Sequence, residues 1–289
     1  MVSQPTPLSA LGRKLSRLLR QVATAPKPEA VHHLRTSIRR LEASLERSQH
    51  TGGRIARKSL KKLDKLRNQA GKVRDLDVQI AALQTINLGR DRHRQAQLAH
   101  TLSERRERQA NKLAGRLDAE RIGDLRLRLR RILRSVSPAA AGANPAAARE
   151  AARQFAQLAA AGPAVDSTAS YDDQGEALHG YRMRCKQIRY TAELAGDTPV
   201  ARRIITEMTR LQDAIGEWHD WVMLRHSAEK YVPGAETTAL HAALQNLEHA
   251  KFAHALRVEA QARRAMLPGA TVLRKAVHSE AAAAHTQTA

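Results

Sequence analysis

Two short stretches of this sequence carry side chains of the same chemistry in the same order. The first, VHHLRTSIRRLEASLE at 31–46, sets His32, Arg35 and Arg39 at offsets 0, +3 and +7. The second, LHGYRMRCKQIRYTAE at 178–193, sets His179, Arg182 and Lys186 at the same offsets, 147 residues later. On a helix turning about 100° per residue, these offsets fall within roughly 60° of one another. Each stretch therefore reads as a row of one imidazole and two cations on a single face. That composition suits an anion: a guanidinium offers a planar fork of donors, an ammonium a mobile point charge. An imidazole donates as well, and a nearby phosphate favours its charged form. Arg40 points to the other side of the first row, and Arg189 extends the second, where the first copy has Glu42.

Something must position these rows, and the apolar residues between them say what. Val31, Leu34, Ile38, Leu41 and Leu45 align with Leu178, Tyr181, Cys185, Ile188 and Ala192. They form a neighbouring stripe with helical period, a packing seam beside each row. A second block also repeats. GKVRDLDV at 71–78 is echoed by GEWHDWVM at 216–223, an offset of 145. Upstream of the first block, Arg54, Arg57, Lys58, Lys61, Lys62 and Lys65 oppose a seam of Ile55, Leu60, Leu63 and Leu66. This is an electropositive wall with Asp64 as its nearby acid. The second copy keeps Arg202, Arg203 and Arg210 opposite Arg57, Lys58 and Lys65, and replaces Lys61 and Lys62 with Thr206 and Glu207. The candidate ligand contacts on the wall and its echo are thus Arg54, Arg57, Lys58, Lys61, Lys65, Arg203 and Arg210. Gly71 interrupts the long pattern, where it permits close approach or a kink.

An internal repeat in a chain of 289 residues with only 3% aromatic content and abundant Leu and Ala predicts an all-α fold of two similar halves. The division falls in SPAAAGANP at 137–145, giving halves 1–140 and 141–289. Helices are expected over 8–23, over the 31–46 stretch, from Arg54 onward, over 91–117 and over 122–136. In the second half, Pro145 starts a helix, 162–174 reads as a loop, YVPG at 231–234 breaks the chain, and a long helix runs to about Met266 before a frayed Ala-rich tail. No apolar run approaches the roughly 20 residues of a membrane helix. The first residues lack a secretory-signal pattern. A single cysteine, Cys185, excludes an intrachain disulfide framework and sits on the seam. These features predict a cytoplasmic protein.

The net charge is +21, with +20 in residues 1–140 and +1 in the remainder. Such an excess implies an anionic partner. Residue chemistry alone leaves three classes open: a phosphate-polymer binder, a non-specific nucleic-acid binder and a metal-dependent phosphohydrolase. His219-Asp220 has the form of a metal phosphohydrolase dyad, but its counterpart in the first half is Arg74, which cannot ligate. The histidines are scattered without an HExxH unit, and Walker-type and GxGxxG loops are absent. Single-strand binders stack bases on aromatics, which are scarce here.

His32-x-x-Arg35-x-x-x-Arg39-Arg40 with Gly71-x-x-Arg74-Asp75-x-Asp77-Val78 resembles the signature pair of the CHAD family. So does His179-x-x-Arg182-x-x-x-Lys186-x-x-Arg189-Tyr190 with Gly216-x-x-His219-Asp220. The resemblance covers nearly the whole chain. It implies two pseudo-symmetric helical bundles around a basic central cavity, binding of inorganic polyphosphate without catalysis or cofactor, and association with polyphosphate granules. Polyphosphate has no bases to read, so many charge-assisted contacts must recognise it. Glu42 departs from the arginine that the family often places there.

Overall fold

The computed structural model describes residues 7–47, 54–89, 92–135 and 144–286, with side-chain detail in the last span ending at Met266. The described residues form nine α-helices and no strands: α1 Pro7–Thr24, α2 Pro28–Arg47, α3 Arg54–Gln84, α4 Arg92–Ala114, α5 Ala119–Ser135, α6 Pro145–Ala160, α7 Tyr171–Leu194, α8 Pro199–Tyr231 and α9 Ala239–Thr286. The chain is all-α, as the periodicity predicts. None of the described helices is long and apolar enough to cross a membrane.

The chain divides into two compact units. One comprises Met1–Ala140 with Met223–Ala243, the other Ala141–Val222 with Leu244–Ala289. The first stretch of the first unit ends at Ala140, and residues 136–143 lie outside the described residues. The sequence division assigns 223–243 to the second half, whereas its contacts belong to the first unit. Ser227 Oγ donates to Gln79 Oε1 on α3 at 2.7 Å, Arg94 on α4 donates to the Pro233 carbonyl at 3.3 Å, and the Arg105 guanidinium lies 4.6 Å from the Tyr231 ring centre. Period alone cannot show this, because α8 and α9 each begin in one unit and end in the other.

In the first unit, α1 ends where Pro26 and Pro28 remove donors, and Pro28 opens α2 at a position where proline is tolerated. The core joins Leu15, Leu19 and Val22 of α1 to Leu34, Ile38 and Leu41 of α2, Leu63 and Val73 of α3, Leu113 of α4 and Leu125 and Leu129 of α5. In the second unit, Phe155 and Leu158 of α6 meet Tyr181, Cys185 and Ile188 of α7, Ile204, Met208, Leu211 and Trp218 of α8, and Phe252 and Val258 of α9. All ten paired seam positions are buried. Each buried aliphatic side chain contributes about 1.5–3 kcal/mol, so this stripe fixes which face of α2 and α7 looks outward.

Helix α4 ends three residues before the expected limit and α5 begins three residues before its own, and two further limits differ from the sequence reading. The 162–174 loop is shorter than expected, because Ser170 caps α7: its Oγ accepts from the Asp173 backbone N–H at 3.2 Å, and helix begins at Tyr171. At the other end, α9 continues to Thr286, through the alanine-rich tail expected to fray. Alanine's high helix propensity accounts for the continuation.

Candidate functional site

The site is built twice, once in each unit, where the helix bearing a row crosses the helix bearing the repeated glycine. In the first unit α2 crosses α3. With its seam buried, α2 directs Arg35 over Gly71, and a Cβ added there would lie 3.7 Å from Arg35 Nε. Three residues on, Arg74 sits beside His32. Burial, Arg74, His33 and Arg35 together hold the His32 imidazolium below its ordinary pKa of 6.5. In the second unit α7 crosses α8. Arg182 passes closer still to its glycine: a Cβ at Gly216 would stand 3.1 Å from Nη2. Arg182 Nε donates to the Gln212 carbonyl at 3.4 Å. The place of Arg74 is taken by His219, whose ring lies 5.6 Å from that of His179. Gly216 thus gives Arg182 room to cross the partner helix, whereas at Gly71 a side-chain methyl would meet Arg35 at an ordinary contact distance.

Farther along the crossing the two copies differ. Glu42 of α2 meets Arg67 of α3, with Arg67 Nε 2.8 Å from Glu42 Oε2. The Nε–H does not point at the carboxylate, so the contact is an ion pair without a directed hydrogen bond. Arg67 also pairs with Asp64. At the matching positions of the second unit, Arg189 Nε donates to Gln212 Oε1 at 3.3 Å and its Nη1 donates to Glu193. The Gln212 amide nitrogen is buried with no hydrogen-bond acceptor among the described residues.

The wall on α3 occupies a different face. At about 100° per residue, Lys58, Lys61 and Lys65 lie roughly 120–180° around α3 from Arg67, which faces α2. All three, with Arg57, are exposed. They form no ion pair with any described residue. Lys62 is the exception within the wall. Its Nζ lies 2.8 Å from Asp124 Oδ2 on α5, and this bond and one from Arg128 hold the Asp124 carboxyl below its ordinary pKa. Arg54 opens α3, and its side chain lies outside the described residues. In the second unit the echo of the wall turns towards α9. Arg203 Nη2 donates to the Ala265 carbonyl at 3.2 Å and Arg210 Nη2 to Gln261 Oε1 at 2.5 Å. Arg210 borders a groove of about 890 Å³ with Asp213, Glu217, His254 and Arg257.

The structure thus gathers His32 and Arg35 with Arg74, and His179, Arg182 and Arg189 with His219 and Gln212. Arg39 and Lys186 are half-buried on the same rows, and Arg40 is exposed beside the first. Wall and row do not share a face. Sequence reasoning passed over Arg67 and Gln212 as site residues. Their signal was available: they stand 145 residues apart, like the glycines, and Glu42 and Arg189 change charge opposite them. Asp77 is structural. Its Oδ1 accepts from Arg106 Nε of α4 at 2.9 Å, and Arg106 also donates to the Pro26 carbonyl, fastening the start of α2 to α3 and α4. Among the described residues no three His, Cys, Asp or Glu side chains are grouped to hold a metal ion.

An all-helical protein with doubled basic helix crossings is the class that fold and site define. Its sequence matches the CHAD domain family over residues 9–229, and the chain belongs to that family. Two solved structures are similar to it. The CHAD domain from the plant Ricinus communis aligns with a TM-score of 0.60 at 20% identity, covering 95% of this chain and 90% of that one. PptA from Streptomyces chartreusis aligns with a TM-score of 0.59 at 19% identity, covering 91% and 95%. At these identities the likeness concerns the fold. No curated protein sequence matches the chain.

Proposed function

We propose that this protein binds inorganic polyphosphate without catalysis, through the two crossings and the cations around them, in the cytoplasm and at polyphosphate granules. The observation that carries the proposal is the recurrence of one cluster in both units: a histidine, an arginine laid over a glycine and a second basic residue. A repeated cluster of donors suits a repeating anion. Membership in a family known for polyphosphate binding supports the same ligand. The cations reside in helices fixed by a packed seam, so binding need not order the backbone that carries them.

A competition assay tests the reading. Labelled polyphosphate is displaced by unlabelled polyphosphate, duplex DNA, single-stranded RNA or ATP at equal phosphate concentration, while phosphate release is followed with and without divalent metal. Polyphosphate is expected to compete best, with no release. Preference for nucleic acid, or metal-dependent release, would overturn the proposal.

A further inference from the structure

A second basic surface lies on the other flank of α2, between α1 and α2. It is an open groove of about 820 Å³ lined by Lys14, Arg17, Arg20, Lys27, Glu29 and His33. The four formal cations are exposed and form no ion pair with any described residue. The acid in the lining, Glu29, lies 3.5 Å from His33 Nε2. Lys14, Arg17 and Arg20 succeed one another every three residues, so α1 presents one cation per ~4.5 Å of its length. His33 and His32 stand about 100° apart around α2. Adjacent histidines therefore serve different flanks: His32 faces Arg74 on α3, and His33 faces α1.

The matching surface of the second unit lacks this chemistry. Gly180 occupies the position of His33, and α6 supplies two arginines, Arg149 and Arg153. Arg153 is already engaged by Glu150 through hydrogen bonds of 2.9 and 2.7 Å. The groove is thus a feature of the first unit, not a by-product of duplication.

We infer that the α1–α2 groove, with Lys14, Arg17, Arg20, Lys27 and His33, is a separate binding site for a linear phosphate anion. The ligand class rests on the proposed function; the separateness of the site does not. One phosphate chain held at both the groove and the crossing gains from effective concentration, since the second contact becomes intramolecular.

The test uses the full-length protein and inorganic tripolyphosphate, short enough to report single sites. Three variants are titrated calorimetrically beside the parent. The groove variant is Lys14→Gln/Arg17→Gln/Arg20→Gln, and the crossing variant is Arg35→Gln/Arg182→Gln. The charge control is Arg116→Gln/Arg130→Gln/Arg131→Gln, three exposed cations outside both sites. The groove variant is expected to lose one equivalent of bound tripolyphosphate. The crossing variant keeps that equivalent, and the control keeps the parent stoichiometry. With long polyphosphate, the groove variant's affinity falls by at least ~10-fold more than the control's. A groove variant that matches the control with both ligands overturns this inference and leaves the proposed function standing. If the crossing variant matches the parent while the groove variant binds nothing, the groove is the site and the proposed crossings are not. Absence of binding by the parent overturns both. Circular dichroism checks each fold; all substituted groove side chains are exposed, so helicity should be unchanged.

Discussion

The two crossings use one frame and opposite charges. Where α2 meets α3, the acid Glu42 comes from the row helix and the cation Arg67 from the glycine helix. Where α7 meets α8, the cation Arg189 comes from the row helix and faces the neutral Gln212. Each crossing keeps a guanidinium, but it is anchored on the opposite helix. The difference teaches that position at the crossing, not identity at one place in the motif, is maintained. At Glu42, where the first copy departs from the second copy's arginine, the glutamate is the ion-pair partner of Arg67. A second contrast sits at the histidines, where His32 is crowded by Arg74 and His179 faces His219.

The largest expected effect separates wall from row. Lys58→Gln/Lys61→Gln/Lys65→Gln should weaken polyphosphate binding strongly. By analogy with DNA, it should flatten the dependence of log affinity on log salt by roughly two to three units. Arg182→Gln/Lys186→Gln should reduce affinity with a smaller change of slope, below about two. Isotherms at several salt concentrations measure both. A triple variant that binds like the parent at every salt concentration would show the wall to be solvated surface only.

Exchanging the crossing chemistry tests whether position is what matters. Glu42→Arg alone sets two guanidinium groups side by side and should destabilise the protein by about 1.5–3 kcal/mol, the range for losing a charged contact. Adding Arg67→Gln reproduces the second unit's pairing and should restore most of that loss. Denaturant unfolding of the two single variants and the double would reveal a coupling of at least about 0.5 kcal/mol. Strict additivity would contradict the equivalence of the crossings.

The glycines should respond unequally. At Gly71 an added Cβ meets Arg35 at an ordinary 3.7 Å, so Gly71→Ala should gain helix propensity, up to ~1 kcal/mol. At Gly216 the same methyl meets Arg182 at 3.1 Å and must push the guanidinium aside. Gly216→Ala should therefore gain less stability and lose polyphosphate affinity severalfold. Equal behaviour of the two variants in thermal unfolding and binding would remove the distinction.

The smallest effect is on pH. In the free protein His32 binds its proton more weakly than an ordinary histidine. The unfolded chain takes up that proton first, so His32 lowers stability as pH falls below about 6.5. A bound polyanion reverses the local field and raises the His32 pKa, so binding takes up a proton and tightens as pH falls through the same region. Affinity measured from pH 8 to 5.5 should rise more steeply for the parent than for His32→Gln. Identical slopes would place His32 outside the ligand's field.

Much of this was legible in the sequence. The seam pairs from Val31/Leu178 to Leu45/Ala192 are all buried, because an apolar stripe with helical period has only one face to bury. The repeat of His32, Arg35 and Gly71 as His179, Arg182 and Gly216 located both crossings. What the sequence did not disclose depends on which helices meet. Arg67 acquires its role from Glu42 on a neighbouring helix, and the Arg106–Asp77 pair joins side chains 29 positions apart. The separation of wall from row also needed the packed seam of α3 as a reference direction. The contacts of 223–243 were hidden because α8 and α9 pass between units without interruption in their period.

The most direct measurement is the affinity of Arg35→Gln, Arg182→Gln and the double variant for labelled polyphosphate at one moderate salt concentration. Each arginine crosses a glycine in its own unit, and each charge-assisted contact is worth about 1.5–3 kcal/mol. Each single variant should therefore lose roughly 10-fold or more in affinity, and the double variant should bind more weakly than either, with helicity unchanged. Parent-like binding by the double variant would contradict the assignment of the two crossings as the polyphosphate site.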